Sequence, residues 1–436
     1  MSGSMKRRTF MGQATAGVLA FGAPAIVRSR VPSDTVGIGC IGLGVRGHIL
    51  HNKCLNNMAD VEVRCFSDLY TGFQKRAVET STNPKMRFYH DYRRVIDDPN
   101  VDAVVICVPD FWHARMAIEA AQAGKDIYLE KPVTHTMPEA VELHKVIKST
   151  GQVFQLGHQR NSDPVHYKAK EIVESGVLGK ICLVRTMWFR HNAIDVYRVY
   201  ATYTTAGLPA DASLDTIDWD TWQSNARTKH PFSAERFFHW HCFNDYGTAV
   251  AGDLLSHEMD AMNLIMDAGF PDSCVASGQL NYWKDDREID DTFYAIYQYP
   301  DRDLTVTWEY ASHNSMPGEG TCYYGDKGTL EVSMAGLKVY AEGYNDLYKH
   351  FTGTNPGGKT IDSAARKKPV YEFAHPRDAN DDLAHMRDFI DNVKSRGQCS
   401  CHIDKALDEA AYVHMALEAT RLKRQVRWDQ AARKIV

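Results

Sequence analysis

The amino-acid sequence predicts an α/β protein with two domains: a parallel sheet covered by helices, and then an α/β domain with a large, open, mostly antiparallel sheet. Three patterns predict this architecture. A β-branched run beginning at Thr35 leads directly into a glycine-rich turn. The run 101–108 is almost continuously apolar, as parallel strands buried on both faces are. Between Leu304 and Tyr310, apolar and polar residues alternate, which is typical of a half-buried antiparallel strand.

Composition and charge favour an enzyme that acts on a small molecule. The chain has 436 residues, of which 44% are hydrophobic, and at about 150 residues per domain this predicts two or three folded domains. It carries 50 Lys+Arg against 55 Asp+Glu and no run of like charge, so we expect no nucleic-acid partner. No segment repeats at a fixed period, which excludes solenoids and propellers.

Residues 1–34 resemble a twin-arginine export signal, and we exclude them from the fold. Arg7 and Arg8 stand before Phe10 and a weakly apolar run, 14–25, that ends in Ala-Pro-Ala. This run is too short and too rich in Ala and Gly to span a bilayer, so we expect no integral membrane segment in the mature chain. The pattern predicts export of the folded protein to the periplasm.

The glycine-rich turn has the spacing of a dinucleotide-binding loop. Gly42, Gly44 and Gly47 form a GxGxxG pattern between a strand-like run and a helix-like stretch. The first glycine permits a tight turn, the second lets the backbone approach a pyrophosphate, and the third lets the helix pack close to the strand. Val45 and Arg46 lie inside the loop, so we predict that all five residues bind a cofactor.

A carboxylate follows at the position that distinguishes NAD from NADP. The second strand, 61–67, ends at Asp68, about twenty residues beyond the glycines. Asp68 would accept hydrogen bonds from the adenosine ribose and repel a 2′-phosphate, and no arginine follows at 69–70. We therefore expect NAD rather than NADP, bound by a Rossmann domain that we assign to residues 35–156.

Later strands of this domain end in polar residues, where open α/β sheets bind their ligands. The apolar run 101–108 is followed by Pro-Asp-Phe-Trp-His, and the short strand 126–129 by Glu-Lys-Pro. We predict that the residues at these two strand ends contact the cofactor: Pro109, Trp112, His113, Glu130 and Lys131.

The order of the motifs resembles the Gfo/Idh/MocA family of oxidoreductases, in particular its glucose-fructose oxidoreductase-like members. The resemblance rests on Glu130-Lys131-Pro132 and on the segments 152–157, 159–164, 252–260 and 324–331. It implies a C-terminal α/β domain with an open sheet, which we assign to residues 157–436. It also implies that NAD(P) oxidises a pyranose-like or polyol substrate.

The family pattern assigns catalysis to Lys131, Asp253 and His257. Asp253, His257 and Asp260 stand at i, i+4 and i+7, so we expect them to share one helix face. An imidazole has an ordinary pKa of about 6.5, so His257 could take the hydroxyl proton while a hydride leaves the same carbon. We expect Lys131 to stabilise the developing alkoxide, and Asp253 to bind a neighbouring hydroxyl or to orient His257.

Further contacts are predicted around these three residues. Arg160 is predicted to contact the cofactor. The predicted substrate contacts are Asn161 and, in the aromatic segment 237–247, His239, His241 and Tyr246. If that segment were extended, its two histidines would point to one side, but we read them as hydrogen-bonding walls and predict no metal. The insertion 191–236 is expected to shape the substrate pocket.

These features predict an exported enzyme that oxidises a secondary hydroxyl of a sugar or sugar derivative with tightly bound NAD. Outside the cytoplasm free cofactor is scarce, so either a carbonyl substrate reoxidises it or the net reaction is redox-neutral. The second case is an alternative: a glycoside hydrolase that works by transient ring oxidation and elimination. A non-catalytic sugar-binding protein is a third interpretation, which the Lys131, Asp253 and His257 set disfavours. The run 292–299 is apolar on both sides, which predicts a homo-oligomer formed through the C-terminal sheet.

Overall fold

A computed structural model describes residues 35–83, 85–192, 195–199, 207–356, 361 and 364–436. The export signal predicted at 1–34 lies outside these ranges. No helix within them is long and apolar enough to cross a membrane.

The first sheet has six strands that all run parallel. The strands are β1 Val36–Ile41, β2 Val61–Ser67, β3 Arg87–Tyr89, β4 Ala103–Ile106, β5 Asp126–Leu129 and β6 Phe154–Leu156. Their order is β3-β2-β1-β4-β5-β6, the doubly wound order of dinucleotide-binding domains. The helices among them are α1 Val45–Ile49, α2 Thr71–Thr80, α3 Arg93–Ile96, α4 Asp110–Gln122 and α5 Met137–Thr150. The Rossmann prediction is therefore confirmed.

The second sheet has ten strands in the order β14-β13-β12-β11-β7-β10-β9-β8-β15-β16. Its first five strands in the chain are β7 Ile181–Phe189, β8 Ser273–Gln279, β9 Thr292–Tyr299, β10 Leu304–Ala311 and β11 Glu319–Gly325. The others are β12 Gly328–Ser333, β13 Gly336–Ala341, β14 Tyr371–Ala374, β15 Val426–Asp429 and β16 Lys434–Ile435. Only β7 and β10 pair in parallel, so the sheet is mostly antiparallel, as predicted.

Helices cover one face of this sheet and leave the other open. The helices of this part are α6 Pro164–Glu174, α7 Trp219–Trp222, α8 Ala234–Phe238, α9 Ser256–Met266, α10 Asp346–Thr352, α11 Asp381–Ser395 and α12 Ile403–Leu422. Helices α6, α9 and α12 pack against the sheet. Along β9, Phe293, Ala295 and Tyr297 point into this core, whereas Tyr294 and Ile296 on the opposite face are 47% and 42% exposed.

Part of the insertion does not shape the substrate pocket, contrary to our expectation. Residues 207–225 pack instead at the carboxyl end of β2. Tyr70 and Ile217 form an antiparallel bridge, and the backbone N–H of Thr71 donates to the Thr216 carbonyl at 3.0 Å. The Tyr70 hydroxyl donates to Asp211 at 2.6 Å. The insertion therefore lies against the strand end that carries Asp68.

Candidate active site

The three glycines have the geometry that a phosphate-binding turn requires. Gly42 has φ +86°, and a Cβ there would lie 2.1 Å from the Cys107 carbonyl oxygen. A Cβ on Gly47 would lie 2.1 Å from the Gly42 carbonyl oxygen, so α1 packs directly on the turn. A Cβ on Gly44 would meet no atom closer than Phe73, at 3.8 Å. This open space at the start of a helix, whose first N–H groups lack partners within the helix, fits a pyrophosphate.

Asp68 stands at the end of β2, beside this turn. Its two carboxylate oxygens accept the backbone N–H groups of Leu43 at 2.7 Å and Tyr70 at 2.9 Å. Burial raises the pKa of Asp68 to about 6, against the opposing effect of these N–H groups and of Arg76. The carboxylate is thus fixed beside the glycine turn, and its contact with a ribose stays a prediction.

Arg46 and Glu130 form an ion pair beside the loop, and their predicted cofactor contacts stay predictions. Arg46 Nε donates to Glu130 at 2.7 Å and Nη2 donates to Asp382 at 2.8 Å. Glu130 is only 5% exposed, and its second oxygen accepts the Lys131 backbone N–H. Both side chains are committed to ion pairs because a buried charge must be paired. Val45 is the first residue of α1 and Pro109 is half-buried before α4, and their predicted cofactor contacts stay predictions.

Lys131 and Asp253 form the ion pair at the centre of the site. Lys131 Nζ donates to Asp253 Oδ1 at 2.5 Å and to the Asp253 carbonyl at 2.8 Å. Burial opposes the charged form of Lys131, but Asp253 raises the pKa of the lysine above its ordinary value. Burial likewise opposes the Asp253 carboxylate, but Lys131, His241 and Arg190 hold the pKa of Asp253 well below its usual range. Both groups are therefore charged at neutral pH.

His257 lies beside this pair as a neutral base. Its ring packs against His158, with centroids 5.1 Å apart, and against Trp188. Burial, reinforced by the positive charges of Lys131 and Arg160, lowers the pKa of His257 well below its ordinary value. Within the described ranges His257 forms no hydrogen bond, so at neutral pH its ring can accept a proton.

The prediction that Asp253, His257 and Asp260 share one helix face is wrong. Residues Ala251–Leu255 form a π-helical turn before α9, which changes the angular spacing of Asp253 relative to the later residues. Asp260 points into the core, where it accepts from Asn161 Nδ2 at 2.5 Å. Asn161 is 3% exposed, so its predicted substrate contact is also wrong.

Trp112 and His113 belong to the core, which corrects their assignment to the cofactor. The Trp112 indole N–H donates to the Trp222 carbonyl at 2.8 Å. The two ring nitrogens of His113 face the carbonyls of Pro132 at 2.6 Å and Val108 at 2.8 Å. The polar edges of both rings thus fix main chain around the site.

Three substrate contacts were predicted in the segment 237–247; two of these residues are buried in the core, and one remains in the site. His239 is buried between Glu235 and the Gly207 carbonyl, and Tyr246 is a fully buried ring packed on Phe111, so neither reaches a substrate. These two residues lie in helical turns and aromatic packing rather than in an extended wall. His241 does remain in the site: it is half-buried, stacks on Trp240 and lowers the pKa of Asp253.

Arg160 lies beside α9 and β7 and not along the phosphate loop. Its Nη1 donates to Glu258 at 2.6 Å, and its guanidinium stacks over Trp188 at 5.4 Å from the ring centroid. Arg160 thus forms a wall beside His257 together with Trp188, and its predicted cofactor contact stays a prediction.

Sequence reasoning missed three side chains of this wall. Trp188 and Arg190 follow at the end of β7, and the Tyr197 ring lies under the Arg190 guanidinium. The Arg190 Nη2 atom and the Tyr197 hydroxyl have no partner among the described residues. The available signal was the Trp-Phe-Arg run at the end of an alternating strand.

One cluster offers metal-ligand atoms outside this site. Ligand atoms of Asp163, His375 and Asp381 lie within 4.8 Å of one another. Asp163 also caps α6 through the Val165 N–H and accepts from His166 at 2.7 Å. Because these pairings account for the polar atoms, we describe the cluster as an ion-pair network.

Both halves of the chain match one family. Residues 36–158 match the part described as "Oxidoreductase family, NAD-binding Rossmann fold". Residues 214–427 match the part described as "Oxidoreductase family, C-terminal alpha/beta domain". Together the two matches cover most of the described residues.

Curated relatives agree with this assignment over part of their length. The uncharacterized oxidoreductase YrbE of Bacillus subtilis is 34% identical over 180 residues, 41% of this chain and 51% of YrbE. The scyllo-inositol 2-dehydrogenase (NAD(+)) of the same organism is 31% identical over 140 residues, 32% of this chain and 40% of that protein. In these alignments the chain spans about half the length of the curated relatives.

Solved structures share the whole fold. An aldose-aldose oxidoreductase from Caulobacter crescentus, complexed with glycerol, superposes with a TM-score of 0.64 at 17% identity, covering 90% of this chain and 99% of that one. Levoglucosan dehydrogenase, in complex with NADH and levoglucosan, gives 0.65 at 17% identity, covering 91% and 100%. With both of its domains matched, the chain belongs to the Gfo/Idh/MocA family of oxidoreductases.

Proposed function

We propose that this protein is an NAD-dependent oxidoreductase that oxidises a secondary hydroxyl of a sugar or polyol. One observation carries the proposal. The Lys131–Asp253 ion pair joins the end of β5 to the turn before α9, with the neutral base His257 beside it. Such a set can hold a hydroxyl, take its proton and stabilise the oxygen as a hydride leaves the carbon.

The residues fit a dinucleotide. The open cradle at Gly44 and the start of α1 would hold the pyrophosphate, and Asp68 would accept the adenosine ribose hydroxyls. When bound, the nicotinamide supplies the hydride acceptor.

The side chains of this protein divide the remaining work. His257 accepts the hydroxyl proton, since its ring is neutral. An ammonium has three N–H donors, and Lys131 uses two on Asp253, which leaves one for the reacting oxygen. The Asp253 carboxylate and the Arg190 guanidinium are suited to the neighbouring hydroxyls, and the half-buried Trp188 ring offers an apolar surface to a sugar ring. The scyllo-inositol 2-dehydrogenase and levoglucosan dehydrogenase names support this substrate class.

The contacts of residues 207–225 support tight retention of the cofactor. The bridge from Tyr70 to Ile217 and the Tyr70–Asp211 hydrogen bond hold this segment next to Asp68. A cofactor bound there would have to displace these contacts to leave from the adenosine side. We infer that NAD is reoxidised on the enzyme by a carbonyl acceptor rather than released.

We also propose export and self-association. The pattern at 7–10 supports twin-arginine export to the periplasm, and replacing both arginines by lysine should keep the protein in the cytoplasm on fractionation. The open face of the second sheet carries exposed apolar side chains, among them Leu183, Tyr294 and the paired Val275 and Ile296. These exposed apolar side chains support a homo-oligomer formed through the sheet.

The function is tested on protein purified without added nucleotide. Mass spectrometry of the denatured protein should identify bound NAD. Free sugars or polyols should reduce it, as followed by NADH absorbance, and a carbonyl acceptor should reoxidise it. Sugar release from a glycoside without net NADH would instead indicate the hydrolase alternative. Failure to bind any dinucleotide would contradict both reactions.

A further inference from the structure

Two buried titratable side chains behind His257 have no role in the site described above. His158 and Glu409 are both 0% exposed. Both ring nitrogens of His158 and the Oε1 atom of Glu409 lack a hydrogen-bond partner within the described ranges. A buried polar atom without a partner costs about 1–3 kcal/mol, so three of them in one place indicate a function.

The two side chains face each other. His158 Nε2 lies 3.8 Å from Glu409 Oε1, just beyond hydrogen-bond distance. The other oxygen of Glu409 accepts the backbone N–H of Val133 at 3.2 Å, two residues after Lys131. Glu409 therefore links the segment that carries Lys131 to the ring of His158.

On its other side, His158 contacts His257. The two rings meet edge to face with their centroids 5.1 Å apart. No carboxylate of the described chain hydrogen-bonds His257, because Asp253 is bound to Lys131 and Asp260 to Asn161. His158 is thus a titratable side chain in direct ring contact with His257.

We propose, building on the function proposed above, that His158 and Glu409 receive the proton that His257 takes from the substrate hydroxyl, and return it when a carbonyl acceptor is reduced. In the first half-reaction the C–H bond breaks, the hydride passes to the bound nicotinamide, and the O–H proton passes through His257 and His158 to the Glu409 carboxylate. In the second half-reaction the hydride and this proton both go to the acceptor carbonyl, and the carboxylate is restored. The proton is thereby stored in the protein between the two halves.

The electrostatic surroundings support this assignment. Burial raises the pKa of Glu409 to about 8, so above that pH it is a carboxylate that can accept a proton and return it. Burial lowers the pKa values of His158 and His257, so neither imidazole retains the proton. An oxidised nicotinamide is a cation and the reduced ring is neutral, so Glu409 should bind its proton more strongly after hydride transfer. The charged and titratable groups that act on the pair are Asp110, His113, Glu130, Lys131, Arg160, His257 and Asp260.

The first test counts protons. In weakly buffered solution at about pH 9, where Glu409 starts as a carboxylate, a single reduction of bound NAD by a polyol should release well under one proton per NADH from the wild-type protein. Glu409→Gln should release about one, because its amide can still accept the Val133 N–H but cannot store a proton. Asp408→Asn, the neighbouring carboxyl on α12 that accepts from Asn263, is the matched control and should behave as wild type. Equal release from wild type and Glu409→Gln would overturn the proposal.

The second test needs no turnover. At about pH 9, infrared difference spectra of the full-length protein with NADH minus NAD should show a protonated-carboxyl band that Asp408→Asn keeps and Glu409→Gln loses. If this band is missing, Glu409 does not store the proton, even in a protein that oxidises polyols. A band that is present, in a protein that oxidises no sugar or polyol, supports the coupling of Glu409 to the cofactor and counts against the proposed reaction.

Discussion

Lys131 Nζ lies 2.5 Å from Asp253 Oδ1, although the two residues are 122 positions apart in the chain. The lysine follows β5 of the parallel sheet, and the aspartate lies in the π-helical turn that precedes α9. The side chains are 15% and 18% exposed, so the pair is largely desolvated while still reachable by a substrate. Its position joins the cofactor side of the site to the substrate side.

Breaking the Lys131–Asp253 ion pair should lower kcat strongly and the free energy of unfolding moderately. We expect Lys131→Met to lower kcat by about 10²–10⁴-fold, since the reacting oxygen loses its donor. It should also cost about 1–3 kcal/mol in the free energy of unfolding, because Asp253 is left unpaired. Adding Asp253→Asn should recover stability but not activity, as measured by urea unfolding and turnover. Lys148→Met, which breaks the exposed pair with Asp404, is the control. Recovery of turnover in the double variant would contradict this role.

The glycine turn allows a paired test of fold against cofactor binding. Gly44→Ala adds a methyl group into open space, so the free energy of unfolding should hardly change, while NAD affinity should fall by about tenfold, or 1.4 kcal/mol. Gly47→Ala places its methyl 2.1 Å from the Gly42 carbonyl oxygen and should cost about 1–3 kcal/mol of stability. Thermal unfolding and NAD titration measure the two effects. Equal loss of stability in both variants would contradict the open cradle.

The Rossmann half was predictable because its signals are local. The glycine spacing, the strand ending at Asp68 and the apolar run of β4 each depend on neighbouring residues, and the structure confirms all three. The three catalytic candidates came together as the family resemblance implied.

Other features depend on contacts that a sequence pattern does not contain. Nothing in Ala-Gly-Asp-Leu-Leu predicts a π-helical turn, so the helical spacing of Asp253 and Asp260 was misjudged. In the sequence Asn161 is simply a polar residue near the predicted site. In the structure it is buried by its contact with Asp260, 99 positions away. Glu409 meets Val133 across 276 positions, and its place behind His158 has no local signal.

Cofactor affinity should weaken in acid because Asp68 must be ionised to accept ribose hydroxyls. Burial raises the pKa of Asp68 to about 6, so the NAD dissociation constant should rise by about tenfold per pH unit below that value. The raised pKa also means that protonation stabilises the fold, so the contribution of Asp68 to stability should fall as the pH rises through about 6. Asp68→Asn should bind NAD weakly and without this pH dependence. Calorimetric titration of cofactor-free protein measures both, and a flat wild-type profile would contradict the prediction.

The open sheet face should carry the subunit contact. Ile296→Lys places a charge among the exposed apolar side chains of this face, next to Val275 on β8, and should shift the protein to a smaller species in light scattering. Val78→Lys changes a residue of α2 that is similarly exposed, at 57%, and should leave the mass unchanged. The same mass for wild type and Ile296→Lys would place the contact elsewhere.

Tyr70→Phe should loosen the retention of NAD without affecting the chemical step. The change removes only the hydroxyl that donates to Asp211 at 2.6 Å, one of the contacts that hold residues 207–225 over the end of β2. A hydrogen bond to a charged group contributes about 1.5–3 kcal/mol, so the dissociation rate of NAD should rise by roughly tenfold or more. The rate is measured from the NAD remaining after dilution and gel filtration. The kcat with saturating NAD should be unchanged, because Lys131, Asp253 and His257 are untouched. Tyr167→Phe, which removes a hydroxyl bonded to the Asn161 carbonyl away from this segment, is the control. If Tyr70→Phe retains NAD as long as the wild type, the segment does not hold the cofactor.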